Sequence, residues 1–344
     1  MNSFEKILKS YNYHFPPELI AQEPASPRDS AKLLIYDRES KTVQHDNYKN
    51  ILSYLPKNGV LVLNQTKVLP ARLEVTKPSG GKARLLYIEQ EKNLIKFLSD
   101  RKLEITSQVK VNSQIKFTVI KKEDSFYFLK PLFKTSVIKV LEKYGKTPLP
   151  PYIKNSTLKG KKLLSEYNTV FAKKTGSVAA PTASLHFTKA LLNKIKKSGI
   201  EIKYVTLHVN LGTFAKLSED QWKNKKLHSE WYEIDKPTAQ FLNQAKKSKR
   251  PIIAVGTTVV RTLESAADNK GKLTKLSGST NLFITEKTKL KFVDCLATNF
   301  HVPQSSLLML VSAFTGRKKL LNLYDQAIYN SYRLFSFGDG MLIN

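Results

Sequence analysis

Apolar and polar residues follow two rhythms along this chain, and the change between them divides it. The runs "AKLLIYD" (31–37) and "GVLVLN" (59–64) are short and apolar, each behind a turn signal, and they predict strands. From about 71 to 152 the texture changes. "KARLLYIEQ", "NLIKFLSD", "LEITSQVKV", "QIKFTVIKK" and "SFYFLKPL" are short, mostly alternating runs between polar turns, the pattern of a meander or small barrel. "GKTPLPPYI", with its three prolines, reads as a rigid exit from that region.

Beyond residue 160 the spacing becomes that of alternating helices and strands. Thr188 caps a predicted helix, "KALLNKIKKS", which Gly199 ends before the strand "IEIKYVTLHVNL". The helix "PTAQFLNQAKKSK" leads through Pro251 into the strand "IIAVG", and "TTVVRTLESAAD" predicts the next helix. Strand-like "TNLFI" and "FVDCLATNF" follow, then a helix "QSSLLMLVSAF" closed by Gly316. The expected fold class is an α/β (α+β) main body, residues 1–70 and 153–344, with a small β-barrel domain, 71–152, inserted into it.

Composition narrows the function classes. The formal net charge of +29 points to a polyanionic partner, nucleic acid ahead of an anionic membrane. A membrane-surface protein would show an amphipathic helix pairing lysines with large apolar residues; "LLNKIKKSGI" comes nearest, and it is better explained as an α/β helix. The single cysteine, Cys295, excludes an internal disulfide and a cysteine-based zinc cluster. The opening "MNSFEKILKSYNYHF" has charges and aromatics where a signal peptide has an apolar stretch, so a cytoplasmic protein is expected.

Against this charge, "GSVAAPTASLHFT" (176–188) runs for thirteen residues without one. It is too short and interrupted to span a bilayer, which takes roughly 20 apolar residues. Small residues allow close backbone approach, and His186 ends the run. In "YVTLHVNLGTF", strand alternation puts Val205, Leu207, Val209 and Leu211 on one face, and Tyr204, Thr206, His208 and Asn210 on the other. In "LHSEWYEI", His228, Glu230 and Tyr232 share a face if the segment is extended, which makes His228 and Glu230 a candidate ion pair or acid–base pair, or two metal ligands for which spacing offers no third. "IIAVGTTVVRTLES" is a strand, a glycine turn and a helix whose first residues, Thr257 and Thr258, offer free N–H groups to an anion, with Arg261 in the first turn. In "TNFHVPQSS", Asn299 and His301 precede a helix, and His301 reads as a plain loop residue. Asp339 sits between two glycines near the C-terminus. The chain has no nucleophile elbow, CxxC pair or HExxH helix, so neither a hydrolase nor a metalloenzyme is expected.

Taken together, "PELIAQEPASPRDSAKLL", "GSVAAPTASLHFT", "HVNLGTF", "LHSEWYEI", "IIAVGTTVVRTLES", "TNFHVPQSSLLMLVSAF" and "YRLFSFGDGMLI" closely resemble the S-adenosylmethionine:tRNA ribosyltransferase-isomerase family of the queuosine pathway, from about Tyr11 to the C-terminus. Where that family has "NDTRV" this chain has "NQTKV", so Gln65 and Lys67 replace an acid and an arginine. Ser184 and Asn210 stand where glycine is common, and Gly340 replaces an alanine. The resemblance implies a monomer that moves the ribosyl part of S-adenosylmethionine onto 7-aminomethyl-7-deazaguanine at the tRNA wobble position. Adenine and methionine leave, and epoxyqueuosine forms. It implies no resident cofactor or metal, S-adenosylmethionine being consumed. Such a reaction needs a base for the proton beside the sulfonium and an acid for the departing adenine. His186, His208, His228, Glu230 and Asp339 are the candidates for those roles. Ser177, Pro181, Thr182, Thr257, Thr258 and Arg261 are candidates for binding S-adenosylmethionine, and Arg28, Lys67, Arg72 and Arg84 for contacting tRNA. The competing reading is a tRNA- or RNA-binding protein without catalysis, its barrel gripping the backbone.

Overall fold

The run Val60–Asn64 is buried at every position, as a strand covered on both faces requires. It lies inside a nine-stranded sheet in the computed structural model, which describes residues 3–210 and 217–344. Across the sheet the strands run Ser277–Leu282, Lys226–Glu233, Glu201–Leu207, Val60–Asn64, Ile252–Val255, Cys295–Asn299, Gly340–Ile343, Lys32–Tyr36 and Val43–Asn47. The four from Glu201–Leu207 to Cys295–Asn299 are mutually parallel, so their carboxyl ends share one edge. In such sheets ligands bind outside that edge. Helices Lys189–Lys197, Lys236–Lys247, Thr257–Ala266 and Ser306–Thr315 cover the sheet at positions the apolar spacing predicts. Thr188 caps its helix by accepting from the Leu191 N–H at 3.1 Å.

The alternating runs form a closed six-stranded barrel with strands between Arg72 and Pro131. Its inward residues, among them Leu73, Leu85, Phe97, Phe117 and Leu129, make one core with Val140 and Leu141 of the helix Val137–Tyr144. Val178, from the uncharged run, belongs to the same core and fastens barrel to body. No helix among the described residues is long and apolar enough to cross a membrane.

Two elements departed from the sequence reading. "GDGMLI" supplies the strand Gly340–Ile343, antiparallel to Cys295–Asn299 and parallel to Lys32–Tyr36. Four consecutive apolar residues carry no period, so only pairing reveals them as sheet. The strand expected through Leu211 is regular as far as Leu207, and Leu211 and Gly212 lie outside the described residues.

The sheet also explains Gly340. A methyl there would stand 2.3 Å from the Tyr48 hydroxyl and 2.7 Å from the Thr298 carbonyl oxygen. The Tyr48 hydroxyl is itself buried without a hydrogen-bond partner. Gly340→Ala is therefore expected to destabilise by about 1–3 kcal/mol, as overpacking does. Tyr48→Phe, which deletes an unpartnered polar atom, should restore part of that loss in the double variant. Urea midpoints of the two single variants and the double variant check this; strict additivity would sink the explanation.

Candidate functional site

At the carboxyl edge of the parallel strands, a cavity of about 250 Å³ opens. One wall is the middle of the uncharged run, Ala180 to Ala183, whose small side chains bring the backbone close. Beside it lies the start of the helix Thr257–Ala266, preceded by Gly256 and capped by no side chain, so its first N–H groups remain for a ligand. The Thr258 hydroxyl is buried with no partner. Tyr152 and Phe335, with ring centroids 5.1 Å apart, add an aromatic wall. His301 completes the lining. Its Nε2 lies 3.0 Å from the Thr298 hydroxyl, and burial pushes its pKa down to about 4, so the ring is neutral at pH 7.

His186 stands behind this cavity rather than in it. It is 4% exposed and stacks on Tyr48 with ring centroids 4.1 Å apart. Its Nε2 faces the Asn299 side-chain amide at 3.3 Å, and a backbone hydrogen bond links the ring to Arg28. Asn299 passes the contact on by accepting from the Thr182 hydroxyl at 2.8 Å. Burial, reinforced by the positive charge of Arg333, pushes the His186 pKa down to about 3.

A second cavity, about 450 Å³, lies in the cleft between barrel and body. The barrel supplies Tyr87, Ile88, Lys96 and Phe126, and the body His208, Asn210, His228 and Trp231. The two cavities share a strand end, since Val209 lines the first while its neighbours His208 and Asn210 line the second. His208 Nδ1 lies 2.8 Å from the Thr66 hydroxyl, and burial with the charge of Lys174 pushes its pKa down to about 4.

The structure separates groups that sequence spacing had joined. A bulge between Lys226 and Glu230 breaks the alternation on which the His228/Glu230 pair rested. His228 is exposed in the cleft, while Glu230 is 2% exposed and ion-paired with Arg261. Arg261 also donates to the carbonyls of Thr280 and Leu282, each at 3.3 Å, so its guanidinium is engaged away from the helix N-terminus. Asp339 is 1% exposed and saturated: Oδ1 accepts from the Lys32 N–H and the Arg333 guanidinium, each at 3.1 Å, and Oδ2 from the Arg333 N–H at 2.8 Å. Ser177 is fully buried, donating to the Ala179 carbonyl at 2.7 Å and accepting from the Val209 N–H at 2.9 Å, so it braces the loop.

The cations expected to meet tRNA differ in availability. Arg28 is committed to Glu166 at 2.9 Å and to the Asn168 carbonyl at 2.7 Å. Arg84 pairs with Asp100 at 2.7 Å on the barrel, and half-buried Arg72 donates to the Leu149 carbonyl at 3.3 Å. Lys67 is exposed and forms no ion pair among the described residues, and it is in register with Thr175 of the cleft wall. Thr257, Thr258, Pro181 and Thr182 all come together in the first cavity. His301, Tyr152 and Phe335 are among the lining residues that the sequence reading did not assign to the site. For His301 the signal was present, two residues past Asn299 and before a helix, and only the cavity distinguishes it from a loop histidine. Among the described residues no cluster of His, Cys, Asp or Glu is placed to hold a metal.

Comparison with known proteins places the whole chain. A family model described as "Queuosine biosynthesis protein" matches residues 8–343. The chain is 44% identical over 342 residues to the S-adenosylmethionine:tRNA ribosyltransferase-isomerase of Fusobacterium nucleatum, covering 98% of this chain and 96% of that one. To the protein of the same name from Carboxydothermus hydrogenoformans it is 42% identical over 347 residues, covering 98% and 99%. A crystal structure of S-adenosylmethionine tRNA ribosyltransferase from Thermotoga maritima matches with a TM-score of 0.56 at 32% identity, over 97% of this chain and 100% of that one.

Proposed function

Because this chain belongs to the queuosine-biosynthesis family of S-adenosylmethionine:tRNA ribosyltransferase-isomerases, we propose that the cavity at the sheet edge holds S-adenosylmethionine and the cleft beside it admits tRNA. The activity is ribosyl transfer with isomerisation onto tRNA. The reading without catalysis is not favoured, since the relatives that match over nearly the full chain are named as enzymes.

The observation that carries the placement is the open start of the helix Thr257–Ala266, facing a cavity with an aromatic wall. Free N–H groups and the helix dipole suit the methionyl carboxylate, and the unpartnered Thr258 hydroxyl adds a further donor. The Tyr152 and Phe335 rings offer apolar surface to adenine. His301, neutral because it is buried, accepts the proton from the carbon beside the sulfonium, whose positive charge acidifies it. His186 is a positioning residue that holds Asn299 and, through it, Thr182 against the cavity. His228, exposed in the cleft, stands where the incoming aminomethyl group must shed a proton to act as a nucleophile, and His208 is a positioning residue beneath Trp231. One protomer contains both cavities, which supports a monomer, and a tRNA substrate supports a cytoplasmic site of action.

Calorimetric titration with S-adenosylmethionine, without RNA, tests the placement. Thr258→Val keeps the shape and deletes a hydrogen bond to a charged group, so affinity should fall roughly 10- to 100-fold. Incubation with tRNA carrying 7-aminomethyl-7-deazaguanine should then release adenine and give the wobble nucleoside the mass of epoxyqueuosine. Unchanged affinity in Thr258→Val moves the co-substrate out of this cavity.

A further inference from the structure

Trp231 is 40% exposed, one of few large hydrophobic side chains left in water among the described residues. Its indole is nevertheless held in place. It stacks on the His208 ring at a centroid distance of 5.1 Å and an interplanar angle of 23°. That ring is fixed in turn by the Thr66 hydroxyl at 2.8 Å and by Gly176, where a methyl would stand 2.6 Å from Nε2. Any residue larger than glycine at 176 would push the imidazole out of the stack. The chain thus maintains a rigid, two-ring aromatic surface at the cleft and leaves part of it open.

The surroundings say what that surface takes. Across the cleft the barrel presents Tyr87, Ile88 and Phe126, giving a slot with apolar walls. Asn210, His228, Ser229 and Ser279 line its rim with donors and acceptors suited to the edge of a heterocycle. Lys96 lies in the slot, its ammonium 4.8 Å from the centre of the Phe126 ring and ion-paired at 3.0 Å with Glu89 of the same lining, while exposed Lys67 is in register with Thr175 of the wall. A slot with aromatic and apolar walls, hydrogen-bonding groups at its rim and an exposed cation at its margin is how proteins receive a base splayed from single-stranded RNA. The strand end His208–Asn210 also separates this slot from the inner cavity by one residue's alternation, so a base seated here is next to the co-substrate.

We propose that the His208–Trp231 stack is the platform on which the wobble nucleobase of the tRNA is seated, flipped out of the anticodon loop between body and barrel. This rests on tRNA being the substrate, as read above. The platform makes Trp231 a substrate-contacting residue that sequence spacing had left unremarked between Glu230 and Tyr232.

The chain has two tryptophans. Trp222 packs against Phe283, so Trp222→Phe leaves Trp231 as the reporter. Titrating that protein with an anticodon stem-loop RNA should quench its fluorescence, and the same RNA abasic at the wobble position should bind more weakly and quench little. Trp231→Ala should lose roughly 5- to 150-fold in stem-loop affinity, the span of one base–aromatic stack. It should also bind the abasic and intact RNAs alike, while keeping wild-type affinity for S-adenosylmethionine. Trp231→Phe, which retains a ring, should fall between Ala and wild type. If Trp231→Ala still discriminates the abasic RNA as wild type does, the base sits elsewhere and the platform is wrong. If wild-type protein binds no stem-loop at all, the tRNA reading fails first, and the platform with it.

Discussion

Replacing Glu230 with alanine is expected to destabilise the protein by about 3–5 kcal/mol, the usual effect of stranding one member of a buried ion pair. Glu230 is 2% exposed and Arg261 6%, so neither charge has water to fall back on. The carboxylate meets the guanidinium through Oε2 and accepts from the Asn210 N–H at 2.9 Å through Oε1. Among the described residues, removing it leaves the Arg261 charge with two bonds of 3.3 Å to backbone carbonyls. Because folded domains are stable by about 5–15 kcal/mol, such a loss removes much of the margin. The effect reaches the site as well, because Asn210 lines the cleft and loses its tether. Glu230→Gln keeps an oxygen for Asn210 and should fall between wild type and alanine in urea midpoint. A Glu230→Gln protein with an unchanged midpoint and no turnover would reverse the assignment and make the carboxylate chemical.

Lowering the pH from 7.5 to 5 should cost several kcal/mol of stability before most carboxylates titrate. Three histidines have folded-state pKa values well below the ordinary 6.5, His186 at about 3 and His208 and His301 at about 4, and burial lowers that of His45 as well. Burial is the largest cause in each. A group whose pKa is depressed by folding contributes its full stability above the unfolded value. It loses that contribution as the pH falls through 6.5 towards the folded value, because only the unfolded chain takes up protons there. At pH 5 each ring withdraws about 2 kcal/mol by this linkage, so the three together approach 6 kcal/mol. The urea midpoint should therefore drop steeply between pH 6.5 and 4, and His301→Asn should flatten the slope. A midpoint constant over that interval would mean the rings are hydrated or paired in solution.

These two expectations mark where reading residues along the chain stopped being sufficient. The barrel was legible because alternation in "QIKFTVIKK" or "NLIKFLSD" records which face of each strand is buried, whatever its partner. The helices were legible for a similar reason, with caps such as Thr188 and stops such as Gly199 acting within a turn. The uncharged loop and the open helix start at Thr257 were also visible, since both are local statements about backbone exposure. They did meet in one cavity. His186 ends that loop in the sequence, and only the fold reveals the ring of Tyr48 and the amide of Asn299 that cover it.

What the chain alone determined, then, is everything with a short range: the strand and helix periods, the change of texture at the barrel, the strong positive charge, and the motifs by which its family is known. What only the tertiary structure decided is the partner of each polar side chain. Glu230 looked like a base and is the counter-ion of a residue thirty-one positions away. Asp339, a turn carboxylate and a candidate acid or base in the sequence, ties Lys32 to Arg333. His228 left its expected face because of one bulge, and Trp231 acquired a role because His208 and Gly176 arrive beneath it. The physical reason is that secondary structure follows from a repeating local pattern, whereas a charge or a ring takes its chemistry from whichever atoms the fold brings within a few ångströms.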